Sequence, residues 1–97
     1  MMIVKVHIAE RRKIVSICDA NLIGKKFEDK NLQLDVSGFF YNGQALTEKE
    51  ILKAVADANS LNIVGKESIN FSLKNNLIDE SNIITIKKIP HAISILR

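Results

Sequence analysis

Residues 2–18 read MIVKVHIAERRKIVSIC, two runs rich in Ile and Val on either side of the polar break Ala9-Glu10-Arg11-Arg12. β-Branched runs that flank a short polar segment predict a β-hairpin, here with strands over 2–8 and 12–18. Side chains alternate across a strand, so Val4, Val6 and Ile8 share one face and Ile3, Lys5 and His7 the other. In the second strand, from Lys13, the residues Ile14, Ser16 and Cys18 oppose Val15 and Ile17. An isolated hairpin is marginal in water, so the remaining chain must supply more strands and a covering layer.

Downstream, Asp19 has the chemistry of an N-cap for a short helical turn over Ala20-Asn21-Leu22-Ile23, closed by Gly24. Residues 31–37 alternate as a half-buried strand with Leu32, Leu34 and Val36 inward. Asn42-Gly43, between Phe39-Phe40-Tyr41 and Gln44-Ala45-Leu46, is the strongest hairpin signal, because a type I′ turn needs positive φ at both central residues. Thr47-Glu48-Lys49-Glu50 is a capping box and predicts a helix with Ile51, Leu52, Val55 and Ala58 as its buried stripe. A second helix fits 66–76, with Ile69, Leu73 and Leu77 four apart and Asn75-Asn76 able to take a left-handed cap. Leu61-Asn62-Ile63-Val64-Gly65 is a short apolar connection. Strands over 82–88 and 91–96 follow, split by Ile89-Pro90. Strands, then helices, then strands again predict an α+β fold: a small, mainly antiparallel sheet with two short helices in a single domain over 1–97.

Composition agrees with a packed domain, since 46% of the 97 residues are apolar and 26% charged. With its lone cysteine, Cys18, and no leader-like opening, the chain is expected to be cytoplasmic. No apolar run approaches the roughly 18 residues of a membrane helix, so no membrane partner is expected. The net charge of +3 is unevenly spread. Residues 1–30 hold seven cations against four acids, 31–80 hold four against seven, and Lys87, Lys88 and Arg97 close the chain with no acid near them. If the first and last strands lie side by side, their cations gather on one surface.

Three chemistries compete. Phosphate contact requires clustered cations, and Arg11, Arg12, Lys13, Lys25, Lys26, Lys87 and Lys88 are the candidates for nucleic-acid binding. Gly65-Lys66, before a helix, offers backbone N–H groups and a cation to an anion. A catalytic reading takes Cys18 as nucleophile at a strand end, Asp19 beside it and His91 as base. Against this reading, free cysteine is among the most buried residue types, and its partner must lie within about 3 Å. One Cys and two His match no zinc spacing, so no metal or cofactor is expected. A third class is a protein-interaction adaptor or homodimer using the Phe39-Phe40-Tyr41 hairpin or an open sheet edge.

The order Ile17-Cys18-Asp19, Leu22-Ile23-Gly24-Lys25-Lys26-Phe27, Leu34-Asp35-Val36-Ser37, Phe40-Tyr41, Asn62-Ile63-Val64-Gly65-Lys66 and Ile89-Pro90-His91-Ala92 resembles a small archaeal family. That family is catalogued only as number 424 among the domains of unknown function. The resemblance spans nearly the whole chain and implies a single α+β domain in a cytosolic archaeal host, with no established activity and no functional residues to carry over. Its association with genes of translation and ribosome biogenesis implies an RNA setting. Function is therefore expected to be that of a non-catalytic binding module for RNA or a ribosomal particle, in translation or ribosome biogenesis.

Overall fold

The computed structural model describes residues 1–96. The hairpin forms as β1 (Met2–Ala9) and β2 (Arg12–Asp19), and a 3-10 turn over Ala20–Leu22 follows. Next come β3 (Lys26–Glu28), β4 (Gln33–Asp35), β5 (Gln44–Leu46), α1 (Glu48–Val55), β6 (Ser60–Val64) and α2 (Lys66–Lys74). A second 3-10 turn, Glu80–Asn82, leads into β7 (Ile83–Ile86) and β8 (Ile89–Ile95). Six strands form one sheet in the order β5-β1-β2-β6-β8-β7, while β3 and β4 pair as a separate ribbon. Every pair in the large sheet is antiparallel except β2 with β6. The α+β class stands, with one parallel pair and a second small sheet added to it.

Register assigns the two faces. Val15 sits beside Leu61, Ile17 beside Ile63, and Ile63 in turn beside Ala92, on the face covered by both helices through Ile51, Val55, Ile69 and Phe71. Ile17, Ile51, Leu61 and Ile63 are completely buried there, each contributing about 1.5–3 kcal/mol by leaving water. On the opposite face Cys18, Val64 and Ile86 pack with Leu22, Leu34, Val36 and Tyr41, so the β3–β4 ribbon and the loop after it form a partial second layer.

The predicted capping box at α1 is present in both halves: Thr47 Oγ1 accepts from the Glu50 N–H and Glu50 Oε1 from the Thr47 N–H. Asn76 takes the left-handed conformation past α2. Other expectations fail for identifiable reasons. The segment 61–65 is not a connection but β6, at the middle of the sheet; buried on both faces, it shows neither alternation nor helical period. Asn42-Gly43 makes no type I′ turn, since neither residue has positive φ. Instead β5 pairs with β1, and Gly43 is required because a Cβ there would lie 2.0 Å from the Val4 carbonyl oxygen. The tight turns with two left-handed residues are Glu10-Arg11 and Lys87-Lys88, so Ile89 and Pro90 belong to β8 and do not split the two strands. Leu32 and Leu52, placed inward by pattern, are exposed.

Candidate nucleic-acid interface

The first and last strands are not neighbours, because β2 and β6 lie between β1 and β8. This separates the seven candidate cations. Arg12 begins β2 and Asp19 ends it, and eight strand residues put those ends roughly 23 Å apart. Arg11, Arg12 and Lys13 therefore stand at the lower end of the sheet. There Lys13 is committed to the protein itself: Nζ pairs with Asp57 at 2.6 Å, and its N–H donates to Asn59 Oδ1. The single seven-residue surface expected from charge alone does not form.

At the upper end four of the seven come together. β6 runs parallel to β2 and β8 antiparallel to β6, which brings the Lys87-Lys88 turn to the end where β2 finishes. Ile86 and Ile89, on either side of that turn, pack with Leu22, Ile23, Phe27, Leu34 and Val36. The same apolar cluster seats Lys25 and Lys26, because Gly24 N–H donates to Val36 O and Val36 N–H to Lys25 O. All four lysines are exposed. Lys26 lies 3.8 Å from Asp35, whose carboxyl is held below its ordinary range chiefly by hydrogen bonds from Ser37.

The Gly65-Lys66 anion site is filled from within. Asp19 does not cap the turn that follows it. Its carboxylate crosses to α2, Oδ2 accepting from the Glu67 N–H at 3.0 Å and Oδ1 from the Ser68 N–H and Oγ at 2.8 and 2.7 Å. Gly65 makes room for it: at φ 107° a Cβ would stand 2.3 Å from Asp19 Cγ. Lys66 remains exposed on the rim of a cleft of about 380 Å³ lined also by Asn21, Leu22 and Ile89.

The catalytic triplet is not assembled as a site. Cys18 is wholly buried, its thiol donates to the Asp19 carbonyl, and burial pushes its pKa up to about 12. Register places His91 in the same row but two strands away, with Val64 between, a separation of about 9–10 Å. His91 Nε2 donates instead to Asn62 Oδ1 at 3.0 Å, and burial lowers the imidazole pKa. Asn62 Oδ1 also accepts from the Tyr41 hydroxyl at 2.6 Å. No cluster of potential metal ligands occurs among the described residues, and none of their helices is long and apolar enough to cross a membrane.

Pattern reading missed how the aromatic triplet divides. Tyr41, next to the Asn42-Gly43 pair, is buried, whereas Phe39 and Phe40 both reach solvent. These residues form no hairpin strand. Open edges do exist among the described residues: β5 pairs only with Met2–Val4, leaving Val6 and Ile8 exposed along β1, and β7 pairs with β8 only as far as Ala92.

Comparison with known proteins gives the chain relatives but no activity. The profile described as "Protein of unknown function (DUF424)" matches residues 6–96. Nothing among curated proteins matches. A solved structure described as an uncharacterized conserved protein from Methanopyrus kandleri is similar in fold, with a TM-score of 0.81 at 21% identity over 99% of this chain and 93% of that one.

Proposed function

This chain belongs to the DUF424 family of proteins of unknown function, and on that premise we propose that it is a non-catalytic binding module for RNA or a ribosomal particle. The observation that supports this reading is the gathering of Lys25, Lys26, Lys87 and Lys88 at one end of the sheet by a shared apolar cluster. Lys87 and Lys88 occupy left-handed backbone positions, at φ 51° and 67°, where glycine or asparagine costs less. The Glu10-Arg11 turn has the same conformation, so the proposal rests on the grouping of the four lysines and not on the turn geometry. The contacts proposed are with phosphates, and they make binding salt-dependent.

The test is RNA retention at low and high salt for two charge reversals. Lys25→Glu/Lys26→Glu is expected to abolish retention, whereas Arg11→Glu/Arg12→Glu, at the far end, leaves most of it. Wild-type protein that holds no RNA at low salt, or a loss of equal size from both variants, removes this reading.

A further inference from the structure

Phe39 is 88% exposed, against 37% for Phe40 and 6% for Tyr41. Its exposure is not that of a loose loop tip, because the chain is anchored on both sides of it. Before it, Val36 is buried and hydrogen-bonded to Gly24 and Lys25, and the Asp35 carboxylate accepts from the N–H and hydroxyl of Ser37. After it, the Phe40 carbonyl accepts from His7 Nε2 at 2.8 Å and Ser16 Oγ at 2.9 Å. The Phe40 ring stacks on His7 with centroids 4.3 Å apart, and Tyr41 is pinned through its hydroxyl to Asn62. Val36 and Ser37 before it and Phe40 and Tyr41 after it each have a protein partner, while Phe39 itself presents an uncovered ring. Two residues separate it from Val36, so its Cα lies within about 11 Å of the Val36 Cα, and the Val36 N–H is itself bonded to the Lys25 carbonyl.

We infer that Phe39 is a stacking platform for an unpaired base, and hence that the RNA bound at the lysine end is single-stranded. The inference rests on the RNA reading and adds the class of RNA. A duplex keeps its bases stacked on one another and offers an isolated ring nothing to stack on, whereas a splayed single strand offers both a base face and adjacent phosphates. Stacking on one aromatic side chain is sequence-tolerant and supplies enough affinity to be measured by substitution.

The chain contains no tryptophan, so Phe39→Trp introduces a sole indole reporter at the platform itself. This variant is titrated with a short oligouridylate and, separately, with an RNA duplex of the same length. The indole emission is expected to be quenched by the single strand and left unchanged by the duplex. Phe39→Ala is expected to weaken single-strand binding by about five- to a hundredfold while leaving the salt dependence, which counts phosphates, as in wild type. If RNA binds but the indole does not respond and Phe39→Ala binds normally, the platform is refuted and the phosphate reading survives. Equal quenching by the duplex also refutes it. If no RNA binds wild-type protein at low salt, both fall together.

Discussion

The two ends of the β2–β6 pair are made of similar residues and behave differently. At the lower end, beside the Glu10-Arg11 turn and Arg12, Lys13 is held by Asp57 and Asn59 of the same molecule. At the upper end the one nearly buried acid, Asp19, is consumed by the start of α2, and of the four lysines there only Lys26 has an acid within 4 Å among the described residues, Asp35 at 3.8 Å. The contrast teaches that basic residues counted along a chain make a binding surface only when strand direction brings them to one end. It also separates two kinds of electrostatic contact: a dry carboxylate with three donors, and an ion pair whose acid is three-quarters in water.

The largest expected effect breaks the upper end. Asp19→Ala leaves the Glu67 and Ser68 N–H groups and the Ser68 hydroxyl without their acceptor, and should cost about 2–4 kcal/mol in denaturant unfolding. Asp57→Ala at the lower end should cost less than about 1 kcal/mol, as exposed pairs do. Equal losses would erase the distinction between the ends.

A smaller effect sharpens the comparison. Glu10-Arg11 and Lys87-Lys88 share a backbone conformation, so Glu10→Asn/Arg11→Gly and Lys87→Asn/Lys88→Gly should each stabilise by about 1–2 kcal/mol, read as a rise in Tm. Only the second exchange should also weaken RNA retention. If both pairs weaken it, or neither does, the assignment of function to one end is wrong.

The smallest effect is a pH slope at the upper row of the sheet. Burial lowers the His91 pKa below its ordinary 6.5, so the unfolded chain takes up this proton more readily than the folded one. The stability this contributes is complete above about pH 6.5 and is lost as pH falls toward the folded-state pKa. His91→Gln should flatten that part of the unfolding-versus-pH curve, and an unchanged curve would show that the imidazole is not the group responsible.

Much of the fold was legible because its signals are local. The first hairpin, the Thr47 capping box and the α2 apolar spacing each depend on residues within a few positions of one another. What stayed hidden was set by distant partners. β6 is buried on both faces, so its apolar run carries no period by which a strand differs from a helix. Asn42-Gly43 has the sequence of a turn, yet Gly43 answers to the Val4 carbonyl against which it lies. The candidate cations were named from sequence, but their division into two groups follows from the parallel β2–β6 pairing. Asp19 finds its donors 48 and 49 residues away, and nothing beside it in the chain predicts that. Phe39 and Tyr41 part through what the fold places around each ring, including Asn62, which accepts from the Tyr41 hydroxyl.

The placement of β6 also governs the order in which the molecule is completed during synthesis. The hairpin can close as soon as Asp19 has left the ribosome, but its inner edge waits for residues 60–64, and β6 in turn waits for β8. Until the final strand emerges, the centre of the future sheet is an unprotected rim of backbone donors and acceptors, so a nascent chain stalled before residue 89 is the species most exposed to pairing with the wrong strand.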